Sequence, residues 1–155
     1  ALEPAPLRHV VRRSCEIKAQ VVGADERESG LRAILNYGHT FAHAIESCAA
    51  YRERQFHGPA VAIGMMAAAE TARRLGMFTE AEAQRQRALI ERAGLPTRIP
   101  RGLAAEELLD CMRSDKKVLA GRLRFVLPEE IGRVTIRDDV PEPLVLDVLR
   151  ELGAE

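Results

Sequence analysis

Three of the chain's four histidines fall within nineteen residues: His39 and His43 in N-Y-G-H-T-F-A-H-A-I-E, and His57 in F-H-G-P. Imidazoles four residues apart lie on one face of a helix and can reach the same ion. Read by spacing alone, the three make a histidine site resembling a catalytic zinc centre with an open position. His57 sits just before an expected helix start, where the positive end of the helix dipole disfavours imidazolium. Neutral imidazole is the form that ligates a metal; the competing role for His57 is a capping or loop histidine. The pair is not the H-E-x-x-H of a metalloprotease, because Thr40, Phe41 and Ala42 separate the two rings.

The elements that must position these rings read mostly as helix. Apolar residues recur at helical spacing over residues 7–22, and Gly23 and Asp25 interrupt them. A second helix is expected over residues 29–50. A third, rich in Ala, Gly and Met, is expected over 59–75 with Pro59 in its first turn, and its small side chains suit a central, buried position. Thr79 with Glu82 three residues on is a capping box, and Gly94 and Pro96 stop the helix it opens. Further helices are expected over 104–113 and 142–152, with one β-hairpin near 122–137 between them. The fold class is therefore mainly α, a single helical domain with a small β appendage.

On a helical wheel for the second helix, Glu28, Arg32, Asn36, His39, His43 and Glu46 share one arc about 80° wide. Leu31, Ile34, Leu35, Phe41, Ala42 and Ile45 take roughly the opposite half, so an apolar side faces a core. A solvated arc is usually built from Lys and Glu. This one holds two His, an Asn, an Arg, two Glu and no Lys, and Asn and His are mediocre helix formers that an exposed face has little reason to use. Gly38 in mid-helix costs about 1 kcal/mol relative to Ala and permits close approach of another backbone or a ligand.

Lys plus Arg and Asp plus Glu both number 23 in 155 residues, a formal net charge of zero. That balance gives no footprint for nucleic acid or for a polybasic membrane patch. The apolar run at 59–69 is too short for a membrane span. Cys15, Cys48 and Cys111 are scattered and odd in number, so reduced thiols and a cytoplasmic location are expected. The chain opens on Ala1, not Met, and reads as a cut from something longer.

R-A-I-L-N-Y-G-H-T-F-A-H-A-I-E, then H-G-P-A-V-A-I-G-M-M-A-A-A, then D-K-K-V-L-A-G-R-L-R-F-V-L-P-E-E-I-G closely resemble 3-dehydroquinate synthases. E-I-K-A-Q-V-V before Asp25-Glu26, and Gly94-Leu95-Pro96, fit the same family, so the resemblance covers nearly all of the chain. Ala42 stands where the family usually has Gly, and the segment before His57 looks slightly longer than usual.

The resemblance implies the C-terminal, metal- and substrate-binding domain of a two-domain enzyme, incomplete at its N-terminus and lacking the NAD-binding α/β domain. It implies NAD, a divalent zinc or cobalt ion and a homodimer. It divides the histidines: His39 and His57 match metal ligands, and the third ligand is a glutamate upstream of Ala1. His43 matches a substrate-side residue near the phosphate, with Asn36 beside it. Lys18 and Arg32 match the pair that holds the substrate carboxylate, and Glu28 a group around the hydroxyl that is oxidised. Lys116, or its neighbour Lys117, matches a further phosphate contact. The implied reaction converts 3-deoxy-D-arabino-heptulosonate 7-phosphate to 3-dehydroquinate and phosphate in the shikimate pathway, with the present chain inactive alone. The alternatives are another sugar-phosphate cyclase, such as 2-deoxy-scyllo-inosose synthase, a more distant iron-dependent alcohol dehydrogenase, and a non-catalytic helical interaction domain. Lysine and arginine are the expected donors to a carboxylate and a phosphate, and the other cyclases act on substrates without that carboxylate.

Overall fold

The computed structural model describes residues 3–26, 30–48, 57–114 and 123–155. The chain divides into two compact units, Ala1–Leu35 and Asn36–Glu155.

In the first unit, α1 runs over Pro4–Ala24, with proline in its first turn where the missing N–H costs nothing. None of its residues is buried, and Leu7, Val10, Val11 and Ile17 are exposed. Asp25, which the sequence marks as an interruption, is an organiser. It is buried, and its Oδ2 accepts the backbone N–H groups of Gly30 and Arg32, both at 2.9 Å. Those bonds set up a short 3-10 helix over Leu31–Asn36.

The second unit holds α2 (His39–Cys48), α3 (His57–Arg74), α4 (Glu80–Arg92), α5 (Ala105–Ser114), the strands β1 (Phe125–Glu130) and β2 (Arg133–Arg137), and α6 (Glu142–Glu151). α3 is central, as its small residues predict. Ten of its residues are buried, and it packs against α2, α4, α6 and β1. Ala60, Ala62, Ala67, Ala68, Ala69 and Ala72 let those neighbours close in around Ile63 and Met66. Phe41 of α2 meets Phe125 of β1 with ring centroids 5.2 Å apart, and the Thr40 hydroxyl donates to the Arg124 carbonyl at 2.8 Å.

The capping box at α4 forms as expected, with Thr79 Oγ1 accepting from Glu82 N–H and Glu82 returning to the Thr79 backbone. The hairpin also forms, antiparallel, turning at Ile131–Gly132 with an irregularity between Pro128 and Glu130. In a two-stranded sheet Pro128 needs no second ladder partner. Among the described residues no helix is long and apolar enough to cross a membrane.

Two expectations are corrected. The helix expected over 29–50 is not continuous: the 3-10 helix ends at Asn36, Gly38 has a φ of +79°, and α2 starts at His39. A left-handed residue ends one helix and redirects the chain into the next, so Arg32 and Asn36 do not share a wheel with His39, His43 and Glu46. The expectation of three reduced thiols fails as well. Cys48 of α2 and Cys111 of α5 are paired as a disulfide, and Cys15 is the free, exposed thiol. The sequence hides this pairing because the packing of α2 on α5, not any motif, brings the two sulfurs together.

Candidate metal and substrate site

The site is built where α2 crosses α3. A Cβ on Gly38 would lie 2.7 Å from the Met65 backbone nitrogen, and a Cβ on Gly64 would overlap the Gly38 carbonyl oxygen. Backbone therefore meets backbone at this crossing, the close approach that Gly38 suggests in the sequence. The same Gly38 carbonyl accepts from Ala42 N–H at 3.0 Å, closing the first turn of α2. Ala42 is fully buried there.

The crossing brings together the first residues of two helices, His39 of α2 and His57 of α3. Their ring centroids are 5.7 Å apart at an interplanar angle of 62°. Two imidazoles sharing one tetrahedral ion through bonds of about 2 Å have centroids roughly 5 Å apart. Each ring is held by its Nδ1. His39 Nδ1 lies 3.2 Å from the Tyr37 carbonyl, and His57 Nδ1 lies 2.9 Å from Oε1 of Glu46. A carbonyl or an ionised carboxylate can only accept, so Nδ1 is the donor in both bonds.

Tyr37, which supplies that carbonyl, is itself pinned. Its hydroxyl donates to Gln86 Oε1 at 2.6 Å, with the Met65 carbonyl within 3.3 Å, and Gln86 Nε2 donates to the same carbonyl at 3.0 Å. Burial pushes the phenol far above its ordinary range, against a smaller opposing effect of the Gln86 bond. Tyr37 therefore stays a neutral donor that ties the start of α2 to α3 and α4.

His43, one turn along α2, is half-buried, with its ring centroid 5.7 Å from that of His39 and the rings perpendicular. Asn36 is half-buried at the end of the 3-10 helix. Lys18 is exposed on α1, and Arg32 is half-buried in the 3-10 helix, where its guanidinium donates to the Glu26 carbonyl at 3.1 Å. Both belong to the first unit. Glu28, Lys116 and Lys117 lie outside the described residues. Among the described residues no group of three or more His, Cys, Asp and Glu is arranged to hold a metal ion. His43 and His57 flank His39 at the same centroid distance of 5.7 Å. The sequence reading gave no role to Glu46 or Tyr37. The available signal for Glu46 was its position seven residues after His39, two turns along the same helix face.

Residues 1–118 match the family model described as 3-dehydroquinate synthase C-terminal. The chain belongs to that family. It is 52% identical over 149 residues to the 3-dehydroquinate synthase of Nostoc punctiforme and 55% identical over 148 residues to that of a Picosynechococcus species, covering 96% of this chain in each case. It spans about two fifths of the length of these relatives, 41% and 40% respectively. Among solved structures it is similar to a 2-epi-5-epi-valiolone synthase from Streptomyces hygroscopicus with NAD+ and Zn2+ bound. The TM-score is 0.83 at 24% identity, over 97% of this chain and 41% of that one. It is also similar to a 2-deoxy-scyllo-inosose synthase complexed with carbaglucose-6-phosphate, NAD+ and Co2+, with a TM-score of 0.80 at 25% identity over 97% and 43%. The mainly helical fold with one hairpin is thus the fold of the C-terminal part of these enzymes. Two imidazoles, each with Nδ1 anchored, are a donor type that suits a zinc- or cobalt-type ion.

Proposed function

We propose that this chain is the metal- and substrate-binding part of a 3-dehydroquinate synthase, acting with an NAD-binding α/β part of the same polypeptide, as a homodimer. The reaction is the conversion of 3-deoxy-D-arabino-heptulosonate 7-phosphate to 3-dehydroquinate and phosphate. The observation that carries the reading is the pair of imidazoles at the α2/α3 crossing, fixed through Nδ1 by Tyr37 and Glu46. Identity near one half to 3-dehydroquinate synthases over almost the whole chain supports the substrate assignment.

In this reading His39 and His57 supply two ligands to the ion, and a glutamate outside the chain supplies the third. The bound metal and NAD supply Lewis acidity and reversible hydride chemistry at one substrate hydroxyl. This chain's residues bind and orient the substrate. Lys18 and Arg32 hold its carboxylate, Asn36 and Lys116 hold its phosphate, and Glu28 stands by the hydroxyl that is oxidised. His43 is placed to move a proton at a phosphate oxygen during elimination. The apolar residues exposed on α1 suit a helix that other parts of the enzyme cover.

The test is phosphate release by the full-length enzyme with NAD and Co2+ or Zn2+, offered the heptulosonate phosphate and, separately, glucose 6-phosphate. Release from the first alone is expected. Turnover of glucose 6-phosphate alone would replace the reading with that of a 2-deoxy-scyllo-inosose synthase, whose fold this chain shares. Residues 1–155 alone are expected to release none; robust turnover by them would overturn the division of labour.

A further inference from the structure

Among the described residues three polar or charged side chains are buried: Asp25, Glu46 and Thr71. Two have plain local work. Asp25 caps the 3-10 helix, and the Thr71 hydroxyl donates to the Ala67 carbonyl of its own helix at 2.8 Å. Glu46 differs. Its side chain is 8% exposed, yet it reaches outward to a histidine whose side chain is 61% exposed.

A buried carboxylate is costly to desolvate, and one hydrogen bond to an exposed ring does not recover that cost for folding. His57 also makes little use of the bond for packing, because it is the first residue of α3 and largely in solvent. The geometry does serve one purpose. The carboxylate fixes the proton of His57 on Nδ1, sets the ring's orientation, and makes Nε2 more basic toward a cation. Glu46 lies on α2 two turns beyond His39, so one helix carries one ligand and the anchor of the other. The orientation of both rings then depends on α2, and the α2/α3 crossing sets the distance between them.

We propose that Glu46 is a positioning residue for the metal site: its buried carboxylate accepts Nδ1–H of His57 and presents Nε2 of that ring to the ion. This rests on the reading of His39 and His57 as ligands and adds the residue that orients one of them. Glu46 touches neither substrate nor ion, and acts through His57.

The experiment measures Zn2+ dissociation constants by chelator competition, and Co2+ absorption spectra, for the full-length enzyme and its Glu46→Ala, Glu46→Gln and His57→Ala variants. Melting of each metal-free protein is recorded alongside. Glu46→Ala is expected to weaken zinc binding about 10- to 100-fold and to alter the Co2+ spectrum, without lowering metal-free melting. Glu46→Gln is expected to lose less, because an amide oxygen still accepts Nδ1–H, and it answers the question if the alanine variant does not fold. Zinc affinity within twofold of the parent in every Glu46 variant that folds would overturn the proposal, as would a loss confined to metal-free melting. His57→Ala separates the two levels of argument. If it loses zinc while the Glu46 variants do not, only the positioning role fails. If it keeps zinc, the ligand assignment itself fails.

Discussion

Gly64→Ala tests the backbone-on-backbone crossing that sets the two histidines beside each other. The added Cβ would overlap the Gly38 carbonyl oxygen and lie 3.0 Å from the Gly38 carbonyl carbon and 3.1 Å from the Ala42 nitrogen. All three obstacles are backbone, so no side chain can turn aside. Ordinary contacts are about 3.5 Å or longer, and restoring them requires α2 and α3 to part by roughly 1.5 Å. A gap of that size forfeits more than about half of each contact's attraction along an interface that holds Phe41, Ala42, Ile45, Ala60 and Ile63, all at most 1% exposed. Overpacking of this kind costs about 1–3 kcal/mol, and rigid obstacles put Gly64→Ala at or beyond the upper end. Replacing glycine by alanine inside a helix returns about 1 kcal/mol, which leaves a net loss of about 2 kcal/mol. For a chain of this size that lowers Tm by about 4–8 °C. Thermal melting by circular dichroism measures it. Gly58→Ala, in the same helix with nothing within 4 Å of the added Cβ, is the control and is expected to leave Tm unchanged or raise it. A Gly64→Ala protein that melts at or above the parent would refute the close-crossing argument, because propensity would then have outweighed contact.

Other outcomes follow from the same structure. In the full-length enzyme, His57→Ala is expected to lose tightly bound metal, whereas His43→Ala retains it and loses rate; metal analysis after gel filtration separates them, and equal loss from both would favour three histidines on one ion. Thr79→Ala removes the capping box of α4 and is expected to cost about 1 kcal/mol, read by urea unfolding. Glu70, only 12% exposed in its side chain, bonds to Arg73 and Arg74. Burial alone would raise its pKa, but these hydrogen bonds and charges together hold it below the ordinary carboxylate value. A carboxyl depressed in the folded state stabilises above its unfolded pKa, and that contribution is lost as pH falls through its folded pKa. Glu70→Gln should therefore lower stability by about 1 kcal/mol at pH 7, with the difference from the parent vanishing at pH values below the folded pKa. An equal difference at all pH values would show that charge is not involved.

The sequence alone determined what rests on neighbours along the chain. The capping box of α4, the stop at Gly94, the alternation of the hairpin and the small-residue character of α3 each depend on residues a few positions apart, where helix and strand periods apply. The candidate histidines His39 and His57 were also legible, since both stand in local motifs. Tertiary structure decided what depends on residues brought together from separate elements. Gly38 ends one helix and starts another because Gly64 of α3 leaves room for its carbonyl, so a wheel drawn through Glu28 to Glu46 crossed a break that periodicity cannot show. Cys48 meets Cys111, 63 residues away, only through the packing of α2 on α5. Glu46 reads as one more residue on a polar face until α3 delivers His57 to it across eleven positions of chain. A buried carboxylate needs a partner with a proton to give, and only the fold determines which partner arrives.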